Sequence, residues 1–272
     1  MVSIIIVYYN TPGEIIDLVK SIKNAINKYL YEIIVIDNNS STKLPNKIYN
    51  FQITKINNNQ NIGYGRALNQ GAKIAKGKYL LFCNSDLVFE KESIKLIIER
   101  MESDLSIGII GPQLLDPNKN TLKVGSDFPF FLESIFSFSI LNKLFPANYF
   151  SKKYFIKDFG RKTEKEIPVL AGACMLIRKD IFSKVKGFDK RFFMYFEEAD
   201  LCLRISKSNY KVLYYPPSKV IHLIGKSSND KKWIEKVFEQ SRYEFLKKYH
   251  GRLMGTIGEG LIRILNFPAK LL

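Results

Sequence analysis

The sequence predicts an α/β protein in which a mostly parallel sheet is covered by helices on both faces. Runs of β-branched and other apolar residues alternate with segments whose apolar residues recur at helical spacing. The runs are continuous rather than alternating, as in strands buried on both faces. Strands that alternate with helices form such sheets, and ligands bind beyond the carboxyl ends of their strands. The residues after each strand are therefore the candidate site residues.

The first half of the chain contains four predicted strands and two helices. Thr11 and Pro12 follow the first strand as a helix cap and first helical position, and a second helix is expected over residues 66–76. We expect the strands over residues 3–8, 32–36, 53–56 and 79–83. This order favours parallel pairing among the four strands.

The second half of the chain is less regular. Residues 113–166 are rich in Phe, Lys and Ser without a clear period, and we treat them as an insertion. Pro216 and Pro217 are expected to end the last strand. The expected elements are strands over residues 167–177 and 211–215, short helices over 178–185 and 197–206, and a long helix over 230–249.

The composition is that of a folded protein with a basic surface. Of the 272 residues, 46% are hydrophobic and 25% are charged, and the formal net charge is +16. Such an excess favours an anionic partner, which can be nucleic acid, an anionic membrane surface or a phosphorylated substrate. The basic residues are scattered, and the chain has no zinc-finger, basic-leucine-zipper or aromatic RNA-binding pattern. We therefore expect no nucleic-acid partner.

The cysteines and the N-terminus indicate the compartment. Cys83, Cys174 and Cys202 are odd in number, far apart and set in apolar runs, as is typical of reduced buried thiols. Residues 2–9 lack a preceding basic region and predict a first strand rather than a signal peptide. The sequence has no run of roughly 20 apolar residues that would span a membrane as a helix. We expect a cytoplasmic protein.

One stretch places three carboxylates inside an apolar and aromatic run. Glu197 and Glu198 follow Phe196 directly, and Asp200 comes after Ala199. Carboxylates packed among such residues lose hydration, and their pKa rises toward the range that suits a general base. The alternative is structural, with the first two acids at a helix N-terminus and Asp200 paired with Arg204. The cluster is the candidate chemical centre.

The fourth strand ends in a second candidate, Asn84-Ser85-Asp86. These residues present oxygen ligands at the edge of the sheet, as Asp37 and Asn61 do at neighbouring strand ends. A Mg²⁺ or Mn²⁺ ion that bridges a diphosphate needs few protein carboxylates, so one Asp suffices.

Taken together, these motifs resemble glycosyltransferase family 2, and more narrowly its bacterial rhamnosyltransferase-like branch. The residues that carry the likeness are 2–10 (VSIIIVYYN), 36–40 (IDNNS), 61–69 (NIGYGRALN), 81–86 (LFCNSD), 187–189 (GFD) and 196–201 (FEEADL). The likeness extends over most of the chain. It implies the glycosyltransferase-A fold, a Rossmann-like, mostly parallel central sheet with helices on both faces, here with a C-terminal helical extension. It also implies inverting transfer.

The resemblance implies a metal site and a base. Asp86 would bind Mg²⁺ or Mn²⁺ on the diphosphate, and His222 would contact the metal or the diphosphate, with a buried core imidazole as the alternative for His222. Glu198 stands where family members commonly carry the Asp that deprotonates the acceptor hydroxyl. Glu197 is the second catalytic candidate, and Asp200 is a further alternative for the base.

The resemblance also implies which residues contact the nucleotide sugar. Tyr9 and Asp37 would hold the nucleobase or ribose, and the turn at residues 61–69 would line the nucleotide site. The substrate-binding candidates are Tyr9, Asp37, Asn39, Asn61, Gly63, Arg66, Asn84, Ser85 and Asp200. Asn84 departs from the common D-x-D motif because it replaces the first Asp.

The implied donor is dTDP-rhamnose or a UDP-sugar, and the implied acceptor is a growing surface glycan or a lipid-linked glycan. Residues 1–112 would form the nucleotide-sugar-binding half, and residues 113–250 the acceptor-binding and catalytic half of the same globular unit. The alternatives are an inactive family member that binds glycans or membrane surfaces, and, more distantly, a nucleotidyltransferase.

The C-terminal residues 251–272 predict an amphipathic tail. Apolar residues alternate there with a few basic ones, such as Arg263 and Lys270. In one interpretation the helix lies on the inner face of the cell membrane as a peripheral contact. In the other it docks on the body of the protein.

Overall fold

The computed structural model describes residues 1–223 and 230–267. Within these ranges the chain forms one nine-stranded sheet and a separate two-stranded hairpin of β3 and β4. The strands are β1 (Val2–Tyr8), β2 (Tyr31–Asp37), β3 (Lys47–Ile48), β4 (Phe51–Gln52), β5 (Thr54–Asn57), β6 (Tyr79–Asn84), β7 (Leu87–Phe89), β8 (Ile107–Leu115), β9 (Lys165–Glu166), β10 (Cys174–Arg178) and β11 (Lys211–His222).

The main sheet has the order β5-β2-β1-β6-β10-β8-β11-β7, with β9 paired to β11. The four strands β5, β2, β1 and β6 are parallel, as predicted. In the second half β10 runs antiparallel to both β6 and β8, while β11 is parallel to β8. The sheet is therefore mixed, and its parallel half is the half that the sequence predicted most clearly.

Nine helices are described in the same two ranges. They are α1 (Glu14–Ile26), α2 (Tyr64–Ile74), α3 (Ser93–Ser103), α4 (Phe131–Phe138), α5 (Leu141–Leu144), α6 (Tyr149–Tyr154), α7 (Lys179–Lys184), α8 (Glu197–Ser206) and α9 (Lys231–Asn266). Helix α1 begins two residues after Pro12, and Thr11 does not cap it: the Thr11 hydroxyl lies 2.6 Å from that of Ser85.

Helices cover both faces of the sheet because each central strand is apolar on both sides. In β1, Ile4 and Ile6 point into the core shared with α1 and α3, whereas Ile5 and Val7 point into the core shared with α2, α7 and α8. Successive side chains of a strand alternate between faces, so a continuous apolar run supplies two cores. This agrees with the glycosyltransferase-A class expected from the sequence.

Several predicted boundaries were wrong. Residues 113–166 are not wholly irregular, because β8 continues to Leu115 and α4, α5, α6 and β9 follow. The strand predicted over 167–177 is confined to β10, since Ala171 and Gly172 leave the sheet and line a cavity. Helix α2 begins two residues earlier than expected, directly after Gly63.

The last strand does not end at its prolines. Strand β11 continues through Pro216 and Pro217 to His222, and its pairing with β8 shifts register between Tyr215 and Lys219. A bulge tolerates residues that lack an N–H, which the sequence prediction did not allow for. The extension pairs with β7, so that His222 lies opposite Leu87.

Helix α9 reverses direction at Gly251, whose backbone is non-helical (φ 83°, ψ 164°). Arg242 donates two hydrogen bonds of 2.9 Å to Glu259, and Arg263 lies 3.3 Å from Glu239. Because each pair joins one side of Gly251 to the other, residues 231–250 and 252–266 pack as an antiparallel hairpin. The described part of the predicted tail is thus docked on the body, and residues 268–272 lie outside the described residues.

The cysteines and the helices also bear on the expectations from the sequence. All three cysteines are buried and carry free thiols. In the described ranges, none of the helices combines the length and the apolar character needed to cross a bilayer.

Candidate active site

A cavity of about 570 Å³ lies beyond the carboxyl ends of β1, β2 and β6. Tyr9, Asn38 and Asp86, which follow these three strands, line it. Glu197 and Glu198 at the start of α8 and His222 at the end of β11 line it as well. The fold therefore brings both sequence motifs, the acidic cluster and the strand-end aspartate, to one cavity.

A network of asparagines shapes one wall of the cavity. The Asn38 side chain donates to Asn61 Oδ1 at 2.7 Å and accepts from the Ile62 N–H at 3.1 Å. Asn61 Oδ1 also accepts from the Gly63 N–H at 3.0 Å. Gly63 has φ +90°, and a Cβ there would overlap the carbonyl oxygen of Phe193. The turn thus needs glycine, and Asn61 orders the turn's backbone.

Asp86 and His222 meet at another part of the wall. The Asp86 Oδ1 and His222 Nε2 atoms lie 3.3 Å apart, and both side chains are largely buried. The Leu223 N–H donates to the Asp86 carbonyl at 2.9 Å, which fixes the end of β11 against the end of β6. The bulge in β11 sets the register that brings the imidazole to the carboxylate.

The acidic cluster begins helix α8. Tyr195 and Phe196 precede it with φ of 70° and 65°, a left-handed conformation that is costly for residues with a Cβ. The rings of Phe196 and Phe238 pack 5.0 Å apart, and Tyr195 also packs on Phe238, so tertiary contacts hold this strained turn in place. The turn directs the first residues of α8 toward the cavity.

Burial shifts the pKa values of both glutamates. Burial raises the pKa of Glu198 to about 7, although backbone groups at the start of α8 act in the opposite direction. Burial and, secondarily, the Glu198 charge raise the pKa of Glu197 well above its usual value. The Glu197 Oε2 atom is buried and has no hydrogen-bond partner among the described residues. A carboxylate with a pKa near 7 can accept a proton at neutral pH.

Comparison with known families agrees with this geometry. Residues 3–186 match the family model described as Glycosyl transferase family 2. The matched range includes β1, β2, β6 and the turns that follow them. The chain belongs to glycosyltransferase family 2. The resemblance drawn from the sequence is confirmed.

Rhamnosyltransferases are among the relatives of this glycosyltransferase. It is 26% identical over 173 residues to N-acetylglucosaminyl-diphospho-decaprenol L-rhamnosyltransferase of Mycobacterium tuberculosis, an alignment that spans 60% of this chain and 56% of that protein. It is 29% identical over 231 residues to Rhamnosyltransferase WbbL of Escherichia coli K12, spanning 82% of this chain and 83% of that one.

A solved structure supports the fold. The mannosyltransferase PcManGT of Pyrobaculum calidifontis, in complex with GDP-Man and Mn²⁺, has a TM-score of 0.61 to this glycosyltransferase at 11% sequence identity. The superposition covers 99% of this chain and 75% of that one. At this identity the likeness concerns the fold.

Four predicted site residues of the glycosyltransferase lie outside the cavity lining, as far as the described residues form it. Asp37 is fully buried, accepts from the Ser40 N–H at 2.7 Å and pairs with Lys43 at 3.3 Å. Asn39 is exposed with φ 71°. Arg66 donates to the Lys190 carbonyl in a separate surface groove. Asp37 thus holds the turn that carries Asn38.

Asp200 is the fourth of these residues. It is fully buried, and it accepts hydrogen bonds from Arg204 (2.8 Å), Lys248 and Tyr249 (2.6 Å). Lys248 also pairs with Asp189 at 2.7 Å. The predicted pairing of Asp200 with Arg204 is confirmed, and the network joins α8 to α9. Asp200 therefore lies where it positions α8 rather than in the cavity.

Sequence reasoning missed part of the cavity wall. Tyr64 donates to the Gly172 carbonyl at 3.0 Å, and Gly172 faces Glu198. The rings of Phe193 and Trp233 pack edge to face at 6.0 Å, and both line the cavity. Trp233 is the sole tryptophan of the chain, and this rarity could have marked it in the sequence as a candidate site residue. Gly172 carried no such signal.

Asp86 and His222 also fit a divalent cation, such as the Mn²⁺ in the PcManGT complex. Within residues 1–223 and 230–267, no group of three or more His, Cys, Asp or Glu side chains can hold a metal. A carboxylate and an imidazole 3.3 Å apart on a cavity wall leave the other coordination positions open. Mg²⁺ commonly takes one or two carboxylates and completes its shell with phosphate oxygens and water. The pair therefore suits a metal that arrives with its substrate.

Proposed function

We propose that this glycosyltransferase is an inverting, metal-dependent hexosyltransferase. It moves a sugar from a nucleotide-diphosphate donor to a hydroxyl of a growing surface glycan or lipid-linked glycan. One observation carries the proposal: a glutamate with a raised pKa and the Asp86–His222 pair line the same cavity. A base and a leaving-group site on one cavity are the two elements that a single displacement requires.

Glu198 is the proposed base. With a pKa of about 7, it is substantially ionised at neutral pH and still basic enough to accept the proton of a hydroxyl that becomes a nucleophile. The acceptor oxygen forms a bond to the anomeric carbon as its proton passes to Glu198. The bond from the anomeric carbon to the diphosphate oxygen breaks, and the nucleoside diphosphate leaves with the electron pair. A single displacement of this kind inverts the anomeric configuration.

Asp86 and His222 are the proposed holders of Mg²⁺ or Mn²⁺. When bound, such an ion would neutralise charge that develops on the departing diphosphate. Asn84 and Ser85 line the cavity beside Asp86 and offer hydrogen bonds to the donor sugar or its diphosphate. PcManGT, which shares the fold, binds GDP-Man together with Mn²⁺, and this supports the same type of donor here.

Glu197 has a different proposed role. Its buried Oε2 lacks a partner among the described residues, and its pKa is raised well above the usual value. Glu197 lines the cavity beside Glu198 and is the second proposed catalytic residue, with Glu198 as the proton acceptor.

The names of the relatives support a proposal for the donor and the acceptor. Two of them are named rhamnosyltransferases, and the mycobacterial one is named for an N-acetylglucosaminyl-diphospho-decaprenol acceptor. We infer dTDP-rhamnose as the donor, with UDP-sugars as the next candidates, and a lipid-diphosphate-linked glycan as the acceptor. Tyr9, Asn61 and Gly63 line the part of the cavity proposed for the nucleotide. The inferred location is the cytoplasm, at the inner face of the membrane.

The test is a transfer assay with dTDP-rhamnose, UDP-glucose and UDP-N-acetylglucosamine as donors. The acceptor is a synthetic N-acetylglucosaminyl-diphospho-polyprenol, and each donor is tried with Mn²⁺ and with EDTA. We expect one donor to react only with metal, and nuclear magnetic resonance of the product to show an inverted anomeric centre. A retained configuration would exclude the single displacement. Nucleotide binding without transfer or donor hydrolysis would favour the inactive binding protein.

A further inference from the structure

The exposed apolar side chains of this protein are concentrated in two segments. Of the 16 large hydrophobic residues exposed among the described residues, ten lie within residues 131–157 and 251–267. They are Leu132, Leu144, Phe145, Tyr149, Leu253, Met254, Ile257, Leu261, Ile264 and Phe267. The two segments make up 44 of the 261 described residues. Scattered exposed apolar residues are normal, but such a concentration marks an interaction surface.

The residues on the second segment form a stripe. Leu253, Ile257, Leu261 and Ile264 recur at helical spacing and are exposed by 40% to 73%. The opposite side of the same helix docks on the body through Gly255, Gly258, Glu259 and Ile262, which are buried. The inner side of this helix is thus occupied by the protein, and the apolar stripe faces outward.

The two segments are in direct contact. A Cβ on Gly258 would lie 3.0 Å from the Phe131 ring, so α4 and α9 touch directly. The Asn266 side chain donates to the Phe138 carbonyl at 2.9 Å and accepts from the Ile140 N–H at 2.8 Å. The C-terminal end of α9, which carries the exposed Ile264 and Phe267, therefore adjoins the end of α4 and the start of α5. We call residues 131–157 and 251–267 the docking face.

The exposed charges of the docking face are all basic. Its basic residues are Lys143, Lys152, Lys153, Lys157, Arg252 and Arg263, and its acidic residues are Glu133 and Glu259. Both glutamates are buried and paired, Glu133 with Lys153 at 2.7 Å and Glu259 with Arg242 at 2.9 Å. The two segments thus contain no exposed carboxylate. Exposed apolar residues among lysines and arginines match an anionic lipid surface.

We propose that the docking face binds the surface of an anionic lipid bilayer. The occupant is a bilayer rather than a second copy, since two such faces would bring together surfaces of the same positive charge. The Phe138 ring of this face packs 6.0 Å from the ring of Phe196, the residue before Glu197. The face therefore holds the start of α8 beside the bilayer. The proposal rests on the proposed function in one respect: the enzyme would bind its lipid-linked acceptor at the bilayer surface.

The experiment is co-sedimentation of the full chain with vesicles of phosphatidylglycerol and phosphatidylcholine, and with vesicles of phosphatidylcholine alone. We expect binding to the anionic vesicles that salt weakens. The double variant Leu261→Gln/Ile264→Gln should lower the partition coefficient about tenfold or more. Leu30→Gln/Leu105→Gln, at two exposed leucines far from the face in sequence, is the matched control and should bind as the unmodified chain does.

Unchanged binding of the Leu261→Gln/Ile264→Gln variant would overturn the proposal, as would failure of the unmodified chain to bind. Self-association that this variant abolishes, without vesicle binding, would overturn it too and assign the face to a protein contact. Trp233 fluorescence during titration with dTDP and Mn²⁺ reports the cavity separately. Vesicle binding without any nucleotide response would contradict the proposed function alone, and the reverse result would contradict the docking face alone.

Discussion

The Nε2 atom of His222 lies 3.3 Å from the Oδ1 atom of Asp86, although the two residues are far apart in the sequence. If this pair holds the metal, removal of either side chain should abolish the metal-dependent part of nucleotide binding. Asp86→Asn and His222→Gln should each lose the stabilisation that dTDP gives with Mn²⁺, which is about 2.7 kcal/mol at 100 times Kd. Thermal unfolding with Mn²⁺ or EDTA measures it.

Asp158→Asn is the control for this experiment, because Asp158 is an exposed aspartate that does not line the cavity. It should respond to dTDP and Mn²⁺ as the unmodified chain does. A full metal response in Asp86→Asn would remove Asp86 from the metal site.

Glu198 should determine the acid limb of the pH–rate profile. The base works when ionised, so the rate of transfer should rise as the pH rises through about 7. Glu198→Gln should lose this limb and lower kcat by about 100-fold or more. Glu166→Gln, at an exposed glutamate of β9, should keep both the rate and the profile. If the acid limb of the profile persists in Glu198→Gln, the group that titrates there would be Glu197 instead.

The same pKa shift predicts an effect on stability. In the folded protein Glu198 keeps its proton up to a pH of about 7, whereas in the unfolded chain it loses it near 4.5. The folded form binds more protons between these values, so the free energy of unfolding should fall as the pH rises from 4.5 to 7. Glu198→Gln should be more stable than the unmodified chain by about 3 kcal/mol at pH 8. Urea unfolding at pH 5 and pH 8 measures this, and equal stabilities at pH 8 would contradict it.

Replacement of Asp200 should destabilise the protein, whereas replacement of Glu198 should stabilise it. Its replacement by Ala leaves Lys248 and Arg204 without their buried carboxylate partner, which costs about 3–5 kcal/mol. Tyr249→Phe removes a single hydrogen bond to the same carboxylate and should cost about 1–2 kcal/mol. Urea unfolding compares the two. An Asp200→Ala variant that keeps its stability but loses transfer would place Asp200 in the chemistry instead.

Gly63 should not tolerate a side chain. A Cβ there would overlap the Phe193 carbonyl oxygen, and the φ of +90° is unfavourable for alanine. Gly63→Ala should therefore unfold at lower temperature and bind dTDP at least tenfold more weakly, because the cavity wall must shift. Gly160→Ala is the matched control, since no atom lies within 4 Å of the added Cβ. Equal nucleotide affinity in both variants would show that the turn is not part of the nucleotide site.

Part of the site could be predicted from the sequence, because its residues directly follow strands that the local sequence pattern predicts. Asn61, Gly63 and Asp86 follow predicted strands, and the ends of parallel strands gather at one edge of a sheet. Once the strands were located, their meeting at one cavity followed. Trp233 was missed because its position depends on how α9 packs, which no local pattern encodes.

The sequence by itself determined the order of strands and helices, since apolar periodicity and turn residues act over short distances. The tertiary structure decided which acids face the cavity. Glu198 and Asp200 are two residues apart on one helix, about 200° around its axis, so the packing of α8 sends one to the cavity and the other to Lys248. It also decided the register of β11, because a bulge across two prolines depends on the neighbouring strands and not on the prolines alone.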